Sequence, residues 1–268
     1  LIRAAGPLII RGGGTRAIGL GTGTVLDMRG LSGVSLYEPG ALTIVVQAGT
    51  ALAEVEAVLA EQRQRLAFEV PDLRALLSRE GRSTVGGVVA ANASGPRRVQ
   101  VGAARDAVLG VRFVDGSGHV IKNGGRVMKN VTGYDLVKLM AGSQGRLGVL
   151  TELAFKVQAM PEAEVTLVAE VDVAQGLADL RRALASPYDV SGAGYISGKA
   201  ALRLEGMAGS VAYRAGQVRA LLGEHWREGP DIWPHLRDIT PFAGKPGAVW
   251  RLVVKPSEAA RLAGALAG

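Results

Sequence analysis

The sequence predicts an α+β fold of two domains. Helical and strand patterns alternate along the 268 residues. The composition changes near Met160-Pro161, where a basic, glycine-rich part gives way to one of balanced charge. Beyond that point the pattern is strand, helix, two strands, helix, strand, which is typical of a ferredoxin-like domain. We therefore expect one domain over 1–160 and a second over 161–268.

The first domain combines short strands with a few helices. Leu52, Val55 and Leu59 share one face of a predicted helix, and Thr50 is its expected N-cap. Asp115-Gly116 is typical of a hairpin turn. The predicted strands are 8–11, 25–28, 43–48, 108–115, 119–123 and 148–157, and the predicted helices are 51–63, 85–92 and 134–141.

The second domain has longer elements. Its helices carry apolar residues at helical spacing, and a last helix is expected to start at Pro256-Ser257. The predicted strands are 164–173, 190–196, 199–205 and 248–255, and the other predicted helices are 174–185 and 209–223.

Charge and glycine are concentrated in the first domain. Residues 1–158 hold 19 Lys and Arg against 12 Asp and Glu, a net of +7, whereas the remainder holds 12 of each. Of the 38 glycines, 25 lie in the first 150 residues. This combination favours an anionic ligand held by backbone N–H groups. Nucleic acid is disfavoured, because the cations are scattered and only 4% of residues are aromatic to stack on bases.

Missing residue types exclude several classes of protein. There is no Cys, which excludes disulfides, thiolate zinc sites and Cys-ligated iron–sulfur clusters in this chain and fits a reducing compartment. Electrons from a redox cofactor would therefore need a partner protein, a quinone or a soluble oxidant. No apolar run reaches about 18 residues, so a membrane-spanning segment is not expected.

Four glycine clusters are the main functional signal. The first is 11–15 (RGGGT), directly after a strand, where successive N–H groups form an anion nest. The second is 83–87 (STVGG), at a predicted helix start whose free N–H groups favour phosphate. The third is 92–96 (NASGP) and the fourth is 142–148 (GSQGRLG). A single cluster is usually a surface turn, but four in one basic domain indicate a nucleotide-like ligand. Neither a P-loop nor a Rossmann fingerprint is present.

The order of these clusters resembles the flavin-binding domain of the vanillyl-alcohol oxidase type, also called the PCMH-type FAD-binding domain. Pro71 and the stretches 102–106, 108–111 and 129–135 fit the same pattern, so the resemblance covers residues 7–158. It implies an FAD-binding domain of two α/β subdomains, followed by a cap domain that takes the substrate. The first cluster lacks His and the chain lacks Cys, so the FAD is expected to be non-covalent. The implied FAD-binding residues are Arg11, Gly12, Gly13, Gly14, Thr15, Pro71, Thr84, Gly86, Gly87, Asn92, Ser94, Gly95, Asp106, Gly145, Gly148 and Val149.

Four further stretches, 68–71, 94–98, 127–135 and 232–252, are similar to the FAD-binding E subunits of bacterial glycolate oxidases. This resemblance implies oxidation of glycolate, a 2-hydroxy acid, to glyoxylate in a heteromeric complex. The implied partners are a second flavoprotein subunit and an iron–sulfur subunit, and the implied location is the cytoplasm, at the inner face of the cell membrane. Compared with members of that family, we expect this sequence to lack a strand–helix unit before Leu1 and a tail after Gly268. Residues 73–79 also replace a shorter, glycine-rich link.

The catalytic residues are left open. A 2-hydroxy acid oxidase needs a base for the hydroxyl proton and a cation for the carboxylate. His119 fits an exposed hairpin position, His225 and His235 fit packing or surface roles, and no histidine-rich metal cluster is present, so we expect the base on a partner subunit. Arg97 and Arg98 fit either contact with a phosphate or carboxylate or a solvated basic turn.

Three residues near the clusters have alternative roles. Lys129 and Tyr134 fit an approach to the flavin or substrate, although packing at a helix start suits Tyr134 better. Asp106 fits a structural role, accepting backbone N–H bonds. Two further functions stay open: a self-sufficient FAD-dependent 2-hydroxy-acid dehydrogenase, such as a D-lactate dehydrogenase-like enzyme, and a flavin-free structural subunit.

Overall fold

The computed structural model describes residues 2–4, 6–16, 21–126 and 133–267. They form two compact units. Unit 1 lies within 1–95 and 101–160, and unit 2 lies within 96–100 and 161–268. Residues 96–100 therefore pack with unit 2, although unit 1 precedes and follows them in sequence. Within the described residues, no helix is long and apolar enough to cross a membrane.

Strands and helices alternate through both units. The strands are β1 Leu8–Arg11, β2 Thr24–Asp27, β3 Val34–Glu38, β4 Thr43–Gln47, β5 Gln64–Leu66, β6 Val108–Val114, β7 Val120–Gly124, β8 Val149–Ala159, β9 Ala163–Glu170, β10 Gly192–Ile196, β11 Lys199–Gly206 and β12 Arg227–Glu228. The α-helices are α1 Leu52–Glu61, α2 Arg74–Leu77, α3 Val85–Ala90, α4 Arg98–Val101, α5 Ala104–Ala107, α6 Leu136–Met140, α7 Val173–Leu184, α8 Ala208–Leu222, α9 Trp233–Asp238 and α10 Ala259–Ala267.

Unit 1 contains two sheets. Strands β1 and β2 form a small parallel pair. The larger sheet is antiparallel with the order β3-β4-β8-β6-β7, and β5 pairs with the far end of β8. Side chains of alternate residues on β4 and β8, such as Ile44, Val46, Leu153 and Phe155, point to one face and are buried. Apolar side chains of helices α1 and α3 cover that face.

Unit 2 is built on one antiparallel sheet with the order β10-β11-β9-β12. In chain order this is 2-3-1-4, the strand order of a ferredoxin-like domain. The α+β prediction, with a ferredoxin-like second part, is therefore confirmed. Helices α7 and α8 pack their apolar faces on the sheet, with Leu167, Leu202, Leu204 and Val218 fully buried.

The position predicted for the fourth strand is wrong. Residues 248–255 are exposed and have no strand structure, and β12 occupies the fourth place instead. The cause is Trp226, which is fully buried and donates from Nε1 to Asp179 Oδ2 at 3.2 Å. This anchor brings the next two residues beside β9. A two-residue strand with the sequence Arg-Glu has no pattern that a sequence analysis detects.

The expected cap of α1 is also wrong. Thr50 precedes Ala51, which is the N-cap residue, and its hydroxyl donates to the carbonyl oxygen of Gln47 at 2.6 Å. Its oxygen also accepts a hydrogen bond from the N–H of Gly33 at 2.9 Å. Thr50 is therefore a buried link between two loops rather than a helix cap.

Candidate functional site

The first glycine cluster begins at the end of β1 with an ion pair. Arg11 Nη2 lies 3.1 Å from Asp27 Oδ2, in register across β1 and β2. Arg29 also binds this carboxylate, at 2.6 Å. Hydrogen bonds from Arg29, and then from Arg11, hold the pKa of Asp27 well below its usual range. The Arg11 guanidinium thus already has a carboxylate partner.

A side chain on any of the next three residues would meet an obstacle or a strained backbone. A Cβ atom on Gly12 would overlap Thr84 Oγ1, and one on Gly13 would overlap the carbonyl oxygen of Arg82. Gly14 has φ +73°, in the left-handed region. The N–H groups of Gly12, Gly13 and Gly14 donate to no other residue that the structure describes. Successive free N–H groups in a tight turn fit the pyrophosphate of a dinucleotide.

Side chains join the first cluster to the second. The hydroxyl oxygens of Thr15 and Ser83 lie 3.0 Å apart, and Thr15 is buried. Next to them, Arg16 Nη2 donates to the carbonyl oxygen of Pro71. This bond joins Pro71 to the residue that follows the first cluster.

The start of α3 differs from the expectation of free N–H groups. The N–H of Val85 donates to Thr50 O at 3.0 Å and that of Gly86 donates to Ala48 O at 2.8 Å. The N–H of Gly87 donates to Thr84 Oγ1 at 3.3 Å, so Thr84 is the N-cap. The loop between β4 and α1 accepts the first two of these hydrogen bonds, and Thr84 accepts the third. The first three amides of the helix are therefore not free for a phosphate.

The other end of α3 holds the fourth cluster. The N–H groups of Gly142 and Gln144 donate to the carbonyl oxygens of Val89 and Ala90, at 3.0 and 2.9 Å. Gly145 has φ +77°, and a Cβ atom on it would lie 3.3 Å from Cβ of Ile10 on β1. The fourth cluster therefore lies between α3 and β1. One short helix thus connects the second, third and fourth clusters, and the second touches the first.

Ser143, in the fourth cluster, was not among the predicted site residues. Its Oγ atom is buried, and no described residue forms a hydrogen bond with it. A buried hydroxyl without a partner is unfavourable unless a ligand or water completes it. The sequence signal for Ser143 is a hydroxyl residue between the glycines of this cluster.

The third cluster is closed at its base. Asn92 Oδ1 accepts a hydrogen bond from the N–H of Arg105 at 3.0 Å, and Ala93 O accepts one from Ala104 at 2.9 Å. Asp106 Oδ2 accepts a hydrogen bond from the N–H of Ala103 at 2.8 Å. Asp106 therefore makes the structural contact with a backbone N–H that was expected of it. This bond fixes the backbone just before α5.

The last predicted residues lie where β8 begins. A Cβ atom on Gly148 would lie 2.7 Å from the carbonyl oxygen of Val114. Val149 lines a cavity of about 380 Å³ together with Leu26, Met28 and Thr151. The apolar part of this lining suits a flat ring, and Arg3 also lines the cavity.

Several candidate side chains lie elsewhere. Arg97 is buried in unit 2 and pairs with Glu205, whereas Arg98 is exposed. Tyr134 is 90% exposed, so the prediction that it packs at a helix start is wrong. Lys129 lies outside the described residues.

The histidines bind neighbouring side chains. His119 lies 3.2 Å from Asp115 in the exposed hairpin turn, and His225 and His235 contact Asp179 and Thr240. Within the described part of the chain, no group of three His, Asp or Glu could hold a metal ion.

Comparisons with known proteins agree with this geometry. The family model described as "FAD binding domain" matches residues 2–124. Solved structures of alkyldihydroxyacetonephosphate synthase superpose with a TM-score of 0.68 at 20% identity, covering 88% of this chain and 52% of theirs. This likeness shows a shared fold.

Curated relatives extend the match. Glycolate oxidase subunit GlcE of Escherichia coli (strain K12) is 39% identical over 257 residues, which are 94% of this chain and 70% of that protein. Glycolate oxidase subunit GlcD of Bacillus subtilis is 34% identical over 168 residues, 61% of this chain and 34% of that one. A D-lactate dehydrogenase of Anaerostipes hadrus is 32% identical over 152 residues, 57% of this chain and 30% of that one. The chain thus spans about a third of the length of the last two relatives.

The family model and the curated relatives together place the chain in the FAD-linked oxidoreductase family, with a PCMH-type FAD-binding domain. Within that class, the chain belongs to the family of glycolate oxidase subunit GlcE.

Proposed function

We propose that this chain is the FAD-binding subunit of a multisubunit glycolate oxidase that converts glycolate to glyoxylate. The observation that carries the proposal is the 39% identity with a glycolate oxidase subunit over 94% of this chain. The free N–H groups of Gly12, Gly13 and Gly14 support FAD as its ligand. The complex would work in the cytoplasm, at the inner face of the membrane, through its partner subunits.

The four clusters would hold the cofactor. The backbone of Gly12–Thr15 would bind the pyrophosphate, and Thr84, Gly86 and Gly87 would shape the second cluster next to it. Val149 would contact a ring of the cofactor. The remaining predicted residues, Arg11, Pro71, Asn92, Ser94, Gly95, Asp106, Gly145 and Gly148, would shape the same site. Bound FAD would supply the hydride-accepting chemistry that oxidation of a 2-hydroxy acid needs.

This chain's own residues offer little for proton transfer. The three histidines are held by Asp115, Asp179 and Thr240, and none lies among the glycine clusters. We therefore propose that a partner subunit supplies the base. The absence of Cys supports transfer of electrons to a partner, such as an iron–sulfur subunit.

The test is a spectrum and a titration. Purified chain should show flavin absorbance, or bind added FAD with quenching of flavin fluorescence. Gly13→Ala should lower FAD affinity at least tenfold, because the new Cβ atom overlaps the carbonyl oxygen of Arg82 and displaces the nest. Gly40→Ala is the matched control, since a Cβ atom there meets no atom within 4 Å. Absence of flavin binding by the unchanged protein would contradict the proposal and favour a structural subunit.

Turnover separates the catalytic alternatives. The complex reconstituted with both partner subunits should oxidise glycolate with an artificial electron acceptor, and the isolated chain should not. Oxidation of glycolate or D-lactate by the isolated chain would instead favour a self-sufficient dehydrogenase.

A further inference from the structure

The large sheet of unit 1 has a cavity on the face that α1 and α3 do not cover. Leu153 and Phe155 of β8 pack in the core beneath these helices, whereas Glu152 and Ala154 alternate with them and point to the other face. They line a cavity of about 210 Å³. Because α3 lies against the opposite face, this cavity is separate from the glycine clusters that α3 connects.

The floor of the cavity is a row of positions with little or no side chain. Ala154, Gly110 and Gly124 are paired in register on β8, β6 and β7, and Val45 continues the row on β4. A Cβ atom on Gly110 would lie 2.6 Å from the carbonyl oxygen of Gly125, and Gly124 has φ +70°, in the left-handed region. Larger residues are therefore disfavoured at both glycines, and this trough is a fixed part of the fold.

The next row of the sheet places charged side chains along the trough. Arg112 is paired in register with Glu152 on one side and with Lys122 on the other. The contact of Arg112 Nη2 with Glu152 Oε1 is long, at 3.7 Å, and no carboxylate that the structure describes forms an ion pair with Lys122. Like charges directly opposite each other destabilise a strand pair. An anion that binds both cations would remove this cost.

The lining and the size of the cavity indicate the class of ligand. Arg112, Lys122 and Arg126 outnumber the single carboxylate of Glu152, so the cavity favours an anion. A guanidinium suits a carboxylate, because its N–H groups can donate to both oxygens. The apolar surface of the trough suits a hydrocarbon group, and a cavity of roughly 150 Å³ is enough for a benzene ring.

We propose that this cavity binds a small organic carboxylate. Its carboxylate group binds Arg112 and Lys122, and its apolar body lies in the trough on Val45 and Ala154. The site is an additional one on unit 1, and it does not depend on the binding of FAD or on the oxidation of glycolate.

An NMR titration of the intact chain with benzoate tests the site. The backbone amides of Gly110, Gly124 and Gly125 should shift to saturation. Benzamide, which has the same ring without the charge, and sodium chloride at equal concentration should not produce these shifts. Shifts confined to the amides of Gly12–Gly14 would place benzoate at the glycine clusters and overturn the proposal.

Charge variants predict changes in opposite directions. Lys122→Gln should raise the Kd of benzoate about two- to fivefold, the effect of one exposed ion pair. Glu152→Gln should lower the Kd, because it removes a repelling charge and the competitor for Arg112. Lys199→Gln is the matched control, since it removes the same charge from unit 2, where Lys199 pairs with Glu170, and should leave the Kd unchanged.

A variant of the floor tests the apolar part of the site. Ala154→Leu fills the trough without changing any charge and should prevent the shifts at Gly110 and Gly124. Unchanged benzoate binding by a folded Ala154→Leu protein would overturn the proposal. Equal Kd values for Lys122→Gln and Lys199→Gln, or weaker binding by Glu152→Gln, would also overturn it, and these exposed or half-buried positions decide the question if Ala154→Leu does not fold.

Discussion

The hydroxyl oxygens of Thr15 and Ser83 lie 3.0 Å apart and join two glycine clusters that are far apart in the sequence. Thr15 ends the first cluster and is buried, whereas Ser83 begins the second. The contact keeps the loop after β1 against the loop before α3. Because both loops would face the same pyrophosphate, the contact ties the stability of the fold to the shape of the site.

Replacement of Thr15 tests this link. Thr15→Val removes the hydroxyl at similar volume and should cost about 0.5–1.5 kcal/mol in the free energy of unfolding. It should also weaken FAD binding severalfold. Thr43→Val is a matched control, because Thr43 is equally buried but its hydroxyl donates to Ala41 O, away from the clusters. Urea titrations and FAD titrations measure the two effects, and equal losses of FAD affinity in both variants would contradict the prediction.

Helix caps provide a second matched pair. Thr84 caps α3 by accepting from Gly87, and Asp172 caps α7 by accepting from Gln175 at 2.9 Å. Replacing either with Ala should cost roughly 0.5–2 kcal/mol. Only Thr84→Ala should weaken FAD binding, since Thr84 Oγ1 fills the space that a Cβ atom on Gly12 would occupy. The prediction is wrong if the two variants bind FAD alike.

Glu164 should make stability depend on pH. It lies directly opposite Glu205 on neighbouring strands, and partial desolvation together with the charge of Glu205 raises its pKa above the usual 4.5. The folded state therefore holds the proton more tightly than the unfolded state does. Its contribution to stability is complete below the ordinary glutamate pKa and is lost as pH rises through the folded-state value.

Glu164→Gln removes this dependence. The melting temperature should rise relative to the unchanged protein at pH 7, and the difference should shrink toward pH 4. Glu170→Gln, on the same strand, removes a carboxylate that lies 3.1 Å from Lys199 and should give no such gain. A gain of equal size at both pH values would argue against the mechanism.

Replacement of two tryptophans should change the free energy of unfolding by very different amounts. Trp226 is fully buried and hydrogen-bonded to Asp179, so Trp226→Ala should cost about 3–5 kcal/mol and release β12. Trp250 is 83% exposed, so Trp250→Ala should change stability by no more than about 0.5 kcal/mol. Chemical denaturation of both variants measures the difference. A large loss for Trp250→Ala would show that 248–255 packs as a strand in solution.

The sequence was most informative where periodicity and turn chemistry were strong. The hairpin of β6 and β7, helix α7 and the first three strands of unit 2 follow from such patterns. Strands β5 and β12 are too short to show a pattern, and β12 depends on the burial of Trp226, a tertiary contact. Residues 248–255 have the composition of a strand. A strand also needs a neighbouring strand to pair with, and composition does not predict one.

The candidate site shows the same limit. Glycine clusters identify where the backbone must be unobstructed, as at Gly13. They do not show which N–H groups are already used, and those of Val85 and Gly86 are bound to Thr50 and Ala48. Equally, nothing in the sequence around Arg97 indicates Glu205, because the two residues meet only after unit 2 has folded.

Residues 96–100 belong to unit 2 although unit 1 surrounds them in sequence, and this affects how the chain can be divided into fragments. A cut at the sequence boundary near residue 160 would produce a fragment that retains Arg97 and loses Glu205. The other fragment would contain Glu205 without its partner Arg97. Two separately expressed pieces would thus each present an uncovered charge, so binding studies are better done on the uncut polypeptide.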